Sequence, residues 1–297
     1  MGREIYDGTE KNWRIVKCRV CIRALLIFLG VILMQMLASM LCVVGTVAWA
    51  VVTGQNRASV ISGLSGGSIN GEFLIMVSLT SALLSMIWCG ILYRKSSWRE
   101  KNFDYRSAFC LKNIISVIEI GVGGCVVLTI FLSYLSLMIP QAFSSYNSIM
   151  EHLMDSSAVI TIVYVLLIGP VSEEVIFRGA ILDRFYLAFP FLAANVLQAL
   201  LFGIYHMNLI QGLYAFCLGF VLGMIRYATG SILASVLTHI LFNGTSYVLD
   251  LLFPVGQDIP GVQVVLLTIA GILLCTLGMV RLYGIYRKKA GHSKTVY

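Results

Sequence analysis

Residues 158–182 read AVITIVYVLLIGPVSEEVIFRGAIL, and this stretch decides the fold class of the chain. Its first half is uncharged and does not alternate between apolar and polar residues. It therefore fits a membrane-spanning helix of about 20 residues better than the alternating strands, roughly ten residues long, of an outer-membrane barrel. Glu173, Glu174 and Arg178 then follow inside the apolar run. The stretch predicts a helix in the bilayer that carries charge in its interior.

The composition of the whole chain predicts the same environment. Of the 297 residues, 59% are hydrophobic and 12% are charged, and the mean hydropathy is +0.89. A soluble domain carries about 25% charged residues. The fraction of charged residues in this chain is too small to cover a water-exposed surface. We therefore predict an all-α, polytopic bundle of transmembrane helices, a multi-pass protein of the cell membrane.

Apolar runs long enough to cross a bilayer recur along the sequence. We predict eight spans, at about 24–52, 73–93, 114–139, 157–186, 188–208, 211–228, 231–253 and 261–286. The first run is too long for the core of a signal peptide, so we expect it to remain as an uncleaved anchor. The polar connector 140–156 is expected to form an outside loop or a short surface helix.

The basic residues predict the topology. Six Lys or Arg lie in residues 1–23, six lie in 94–113, and five lie from Arg281 onward, whereas the alternate connectors contain only Arg57. Cytoplasmic loops are enriched in Lys and Arg, so both termini are expected in the cytoplasm. The net charge of +7 then reflects topology and attraction to anionic lipids. We expect no nucleic-acid binding, since no soluble unit with a basic face is present.

The acidic pair at 173–174 has two different environments on a regular helix. Glu174 and Arg178 are four residues apart with the acid first, so they can neutralise each other. Glu173 has no basic residue three or four positions away and needs a proton or a distant partner. A carboxyl group in a low-dielectric site can serve as a general base. The alternative is a structural ion-pair network that only holds helices together.

Two histidines and an amide also lie within apolar runs. His206 lies within the predicted span 188–208, and His239 and Asn243 share one face of the span 231–253 because they are four residues apart. An imidazole beside an amide can donate hydrogen bonds to an oxyanion, and it can equally join two helices. At about 1.5 Å per residue, tilted helices would bring these groups to similar depths as Glu173, in a site reached from the cytoplasmic side.

Together these residues form three motifs in a fixed order: Glu173-Glu174-x-x-x-Arg178, Phe202-x-x-x-His206 and His239-x-x-x-Asn243. This set resembles the E-E-x-x-x-R, F-x-x-x-H and H-x-x-x-N motifs of the CAAX-processing and bacteriocin-processing (CPBP, or Abi) family of intramembrane endopeptidases, which includes the type II CAAX prenyl proteases. The resemblance covers about residues 157–250. We divide the chain into an N-terminal region (1–156), a CPBP-like catalytic core (157–253) and a final span with a basic tail (254–297).

The resemblance implies hydrolysis of a peptide bond within the membrane. By analogy, Glu173 and His206 would activate a water molecule, and His239 and Asn243 would stabilise the tetrahedral oxyanion. Three further motif residues would support the site: Glu174, Arg178 and Phe202. The implied partners are the lipid bilayer and a peptide or membrane-protein substrate. Such a substrate is a prenylated C-terminus in eukaryotic relatives. For a bacterial chain, the resemblance implies leader or signal peptides, bacteriocin precursors or a role in self-immunity.

The resemblance leaves the role of a metal open. The family is often labelled metalloprotease, and two histidines with a glutamate can hold zinc with a water in the fourth position. The H-E-x-x-H arrangement of zinc proteases is absent from the sequence. We therefore favour a site without metal and keep Zn²⁺ as the alternative.

Two functions of other classes remain open. A regulatory scaffold would keep the fold and bind a partner membrane protein without cleaving it. A proton-coupled transporter would use the buried Glu and His residues as a relay and would be expected to contain inverted repeats. The small residues Gly219 and Gly223 could pack against the partner membrane protein of a scaffold, but packing between helices of this chain is the expected use.

Overall fold

A computed structural model describes residues 10–55, 71–94, 110–154, 158–253 and 259–293. Within these ranges the chain forms helices and no β-strand, which confirms the predicted all-α class. Most of the connectors 53–72, 94–113 and 254–260, with Arg57, lie outside the described residues, and so does the expected domain boundary at 156/157.

Nine helices occur in the described part of the chain, and the fourth predicted span is one composite helix built of short segments. Their bounds are α1 Glu10–Val52, α2 Gly71–Arg94, α3 Leu111–Met138, α4 Pro140–Met154, α5 158–185, α6 Phe191–Tyr205, α7 Leu209–Thr229, α8 Ile232–Leu252 and α9 Gly261–Ser293. Helix α4 occupies the polar connector, so of the two expected forms, a loop and a short helix, the connector adopts the helix. Helix α1 begins 14 residues before the predicted span because the basic segment ahead of the apolar run is also helical.

Seven of these helices are long and apolar enough to cross a membrane, and they lie at predicted spans. The prediction of a full span at 188–208 is wrong. Helix α6 has 15 residues and is about 22 Å long, whereas a bilayer core is about 30 Å thick. Pro190 precedes its first turn, and Asn208 ends the connection by accepting hydrogen bonds from the backbone N–H groups of Ile210 and Gln211 at 3.0 Å each. The apolar run thus contains a turn that its hydropathy conceals.

Contacts at one end of the bundle show where the chain enters and leaves it. The Lys17 ammonium of α1 lies 5.9 Å from the ring of Phe189, just after α5, and Tyr186 contacts Tyr227 at the end of α7. Leu282 of α9 packs in the same cluster as Ala228. Helix α1 therefore begins, and α9 approaches its end, at the same end of the bundle. The chain reverses direction between the short α6 and α7. It therefore still passes an even number of times between the two ends of the bundle.

Helix α5 runs through protein rather than along lipid in its second half. Every residue from Ile176 to Phe185 except Arg184 is buried. Its apolar side chains pack in one core cluster with α1, α2, α6 and α7, including Phe28, Cys89 and Phe202. A charge on this part of α5 is consequently surrounded by neighbouring helices, which can supply hydrogen-bond partners.

Glycines set the contact between α3 and α9. A Cβ atom at Gly123 would lie 2.6 Å from the backbone nitrogen of Cys275 and 2.7 Å from the carbonyl oxygen of Gly271. Backbone atoms cannot move aside as a flexible side chain can. The two helices therefore pack at a distance that only glycine permits, as small residues allow in membrane bundles.

Substituting alanine at Gly123 should separate α3 from α9 and lower stability by about 1–3 kcal/mol, the usual cost of overpacking. The neighbouring Gly124 is the matched control, because a Cβ there meets no atom within 4 Å. Gly124→Ala should leave stability unchanged or raise it slightly, since alanine is the better helix former. Thermal unfolding midpoints of both variants in detergent measure the difference, and equal midpoints would contradict this packing.

Candidate active site

The buried ion pair of α5 is formed as the sequence predicts. Glu174 and Arg178 are both 0% exposed, and Arg178 Nη1 donates to Glu174 Oε1 at 2.8 Å. Arg178 Nη2 donates to the carbonyl oxygen of Gly219 on α7 at 3.1 Å. The guanidinium also lies 4.6 Å from the centre of the Phe202 ring on α6. One arginine therefore joins α5, α6 and α7.

His239 of α8 lies between the two carboxylates. Its Nδ1 atom is 3.0 Å from Glu174 Oε1, and its Nε2 atom is 3.7 Å from Glu173 Oε2. Since an ionised carboxylate can only accept hydrogen bonds, Nδ1 donates to Glu174. The separation of Nε2 from Glu173 is too long for a direct hydrogen bond and lies within ion-pair range. The partner that Glu173 lacks on its own helix is this imidazole of α8.

His206, directly after α6, has a different anchor. Its Nδ1 atom is 2.9 Å from the carbonyl oxygen of Phe202, and a carbonyl can only accept. Nδ1 therefore carries the hydrogen, and in the neutral ring Nε2 carries a lone pair. Glu173 is an electrostatic neighbour of this ring. His206 thus offers a hydrogen-bond acceptor beside Glu173.

Phe202 lies between the two imidazoles. Its ring centre is 4.9 Å from that of His206 and 6.0 Å from that of His239, both in edge-on geometry. The ring is buried and also covers the guanidinium of Arg178. This aromatic side chain fixes the spacing of the charged and imidazole groups and keeps water out between them.

Asn243 binds the backbone of α5. Its Nδ2 atom donates to the carbonyl oxygen of Val165 at 2.9 Å. The side-chain amide has a second N–H, which this bond leaves available. Asn243 therefore joins two helices, which was one of its two expected uses. Its second N–H remains as a donor for the other expected use, a hydrogen bond to an oxyanion.

The predicted span at 157–186 is one helix of 158–185, but it is not a regular α-helix throughout. Two π-helical segments, Tyr164–Ile168 and Val175–Ile181, flank the α-helical turn Gly169–Glu174. Pro170 lacks an N–H and cannot continue the regular ladder. The N–H of Gly169 instead bonds to the carbonyl of Tyr164, five residues back. Such π segments change the direction of side chains and are frequent at functional sites.

Sequence analysis missed two groups of residues around this constellation. Tyr164, Tyr205 and Tyr214 are electrostatic neighbours of Glu173. The amides Asn195 and Gln198 lie buried on α6 behind the ion pair. The only available signal was the occurrence of two amides three residues apart in an apolar run, and tyrosine in a membrane helix carries no such signal.

The donor set does not fit a three-ligand zinc site. In the described part of the chain, no three side chains of the His, Cys, Asp and Glu types gather with the geometry of metal ligands. Glu174 is already bonded to Arg178 and to His239.

The comparison with known families agrees with this arrangement. Residues 155–245 match the family described as type II CAAX prenyl endopeptidase Rce1-like, and the matched segment contains all three motifs. No curated protein and no solved structure matches the chain. The resemblance seen in the motifs is thereby confirmed. Residues 155–245, about a third of the chain, thus match the CAAX family of intramembrane proteases, and this match supports an intramembrane peptidase in a multi-pass membrane protein.

Proposed function

We propose that this peptidase hydrolyses its substrate with a water molecule activated by Glu173 and His206, opposite an oxyanion site formed by His239 and Asn243. The observation that carries this proposal is the different anchoring of the two imidazoles. The Nδ1 atom of His206 faces a carbonyl oxygen, whereas the Nδ1 atom of His239 faces a carboxylate. In both rings Nδ1 carries the hydrogen, so the neutral ring of His206 accepts through Nε2. The ring of His239, which lies beside two carboxylates, donates through Nε2 in its doubly protonated form.

Glu173 is the carboxylate suited to act as the base. Its side chain is 16% exposed, whereas that of Glu174 is fully buried and bonded to an arginine. A water beside Glu173 can give its proton to the carboxylate while its other hydrogen points to His206 Nε2. The resulting hydroxide attacks the carbonyl carbon of the peptide bond. Glu173 then passes the proton to the leaving amine as the C–N bond breaks.

The oxyanion would meet donors on α8. His239 donates through Nε2 when that atom carries a proton, and Asn243 donates its second amide hydrogen. Both donors are held before substrate arrives, because His239 Nδ1 is bonded to Glu174 and the first amide hydrogen of Asn243 is bonded to the carbonyl of Val165, both on α5. Donors fixed in advance cost no reorganisation during the reaction, which is why such sites contribute strongly to catalysis.

The site accepts membrane-associated substrates, and we propose that the scissile bond belongs to a prenylated C-terminus or to a peptide precursor such as a leader peptide or a bacteriocin. The experiment compares peptide termini in membranes and medium from cells that produce the wild type or Glu173→Gln at matched levels. Termini that disappear only in the variant identify the substrate. Unchanged termini with an unchanged phenotype would favour the scaffold, and unchanged termini with a lost phenotype would favour a proton relay.

Glu173→Gln should reduce cleavage at least about a hundredfold, because the amide cannot take a proton from water. Glu72→Gln makes the same chemical change at an exposed position in the first turn of α2 and should cleave like the wild type. Both variants should have wild-type thermal midpoints. Full cleavage by Glu173→Gln would refute the assignment of the base.

Asn243→Leu should lower kcat about a hundredfold and change KM little, as expected for a donor that acts mainly in the transition state. Thr245→Val is the control, because the Thr245 hydroxyl bonds only to the carbonyl of Leu241 within its own helix, at 2.7 Å. A farnesylated C-a-a-X peptide with a fluorescent reporter, cleaved in proteoliposomes, supplies both constants. A rise in KM without loss of kcat would assign Asn243 to substrate binding.

A metal chelator should leave cleavage of the same peptide unchanged, because the proposed steps use only side chains and water. The purified protein is treated with the chelator, dialysed and assayed with and without added zinc. Loss of cleavage that zinc restores would show that a metal takes part and would replace the Glu173–His206 mechanism.

A further inference from the structure

Two amides of α6 form a hydrogen-bonded network with the backbone of α7. Gln198 Nε2 donates to the carbonyl oxygen of Gly219 at 2.9 Å and to Asn195 Oδ1 at 2.8 Å. Asn195 Nδ2 donates to the carbonyl oxygen of Phe220 at 2.9 Å. Both amide side chains are 0% exposed. Two successive carbonyls of one helix are thus held by the other helix.

The carbonyl of Gly219 is the point where this network meets the ion pair. It accepts from Gln198 Nε2 and also from Arg178 Nη2, which lies 3.1 Å away. Arg178 in turn donates to the Glu174 oxygen that holds His239. A continuous series of hydrogen bonds therefore runs from the amides of α6 to the imidazole of α8.

Glycine is required where the helices meet. A Cβ atom at Gly219 would lie 2.8 Å from the Phe202 ring and 3.3 Å from Arg178 Nη2. At Gly223 a Cβ atom would overlap Asn195 Oδ1 at 1.7 Å. The expected internal use of this glycine pair is confirmed. The close approach lets the amides and the guanidinium reach the backbone of α7.

The same face of α6 carries the other half of the site. Gln198, Phe202 and His206 follow each other at intervals of four residues, so they lie along one side of the helix. The position of α6 along α7 consequently determines where the His206 ring lies relative to Glu173. Gln198 bonds to the carbonyl of Gly219. This bond fixes the position of α6 along α7, and the same carbonyl accepts from Arg178.

We propose that Gln198 is a positioning residue of the peptidase, held in place by Asn195, that aligns the base side of the site at His206 with the oxyanion side at His239. This inference rests on the proposed function of those two histidines. In a bilayer, hydrogen bonds between helices are formed where water cannot compete, and loss of one loosens the helix register. Gln198 acts through Gly219 and Arg178 and touches no reacting atom.

The test compares Gln198→Met with Thr238→Val. Methionine keeps the length of the side chain and removes its donors. Thr238 is buried beside His239, and its hydroxyl bonds only within α8, to the carbonyl of Ala234 at 2.9 Å, so its loss is a matched structural change outside the network. Cleavage of the farnesylated C-a-a-X peptide in proteoliposomes is measured together with ¹⁵N spectra of labelled histidine in each protein.

Gln198→Met should lower kcat about tenfold, equivalent to about 1.4 kcal/mol, with KM within about twofold. The ring-nitrogen signals of His206 and His239 should both shift, and Thr238→Val should change neither kcat nor these signals. Asn195→Ala keeps the bond from Gln198 to Gly219 and should give a smaller fall in kcat, which provides a second variant if Gln198→Met does not fold.

Unchanged kcat and unchanged histidine signals in Gln198→Met would overturn the inference. Equal losses in Gln198→Met and Thr238→Val, in proportion to lowered thermal midpoints, would also overturn it by assigning the amides a purely structural role. If the wild type cleaves and Glu173→Gln does not, either of these two results overturns the positioning role of Gln198 and leaves the proposed function in place. If the wild type does not cleave the peptide, the proposed reaction on this substrate class fails, and the histidine spectra decide the positioning role.

Discussion

One carboxylate oxygen holds the site together: Glu174 Oε1 accepts from Arg178 and from His239 deep inside the bundle. Taking an acid and a base out of water is costly, and the cost is repaid only when geometry and further hydrogen bonds are good. Here the guanidinium also reaches a backbone carbonyl of α7 and the face of an aromatic ring on α6. The ion pair therefore connects four helices, and removing either partner would leave a buried charge uncompensated.

The roles proposed for the two histidines follow from this arrangement. Both imidazoles are anchored through Nδ1, one to a carboxylate and the other to a carbonyl, so both leave Nε2 for other partners but in different electrostatic environments. The two rings come from different helices, and Phe202 fixes the distance between them. Glu173, left outside the ion pair, faces both. An apolar bundle thus contains a group that can accept a proton next to groups that can donate hydrogen bonds.

The fold was largely predictable because each long span is a continuous apolar run, and hydropathy is the property that a bilayer selects. Prediction failed where local geometry mattered more than hydropathy. Helix α6 was predicted to be a full span because its flanking turn is also apolar, and its short length follows from Pro190 and the Asn208 cap. The π segments of α5 were missed for a similar reason, since i→i+5 bonding depends on neighbouring contacts as well as on Pro170.

The sequence by itself determined the membrane setting, the pairing of Glu174 with Arg178 and the three motifs, because composition and spacings of four residues along a helix are local properties. Only the tertiary structure decided that His239 lies between both carboxylates, that Asn243 binds the backbone of α5, and that Gln198 shares a carbonyl with Arg178. These contacts join residues far apart in the chain. They depend on the tilt, register and glycine-limited separation of packed helices, and no local pattern in a single sequence encodes those quantities.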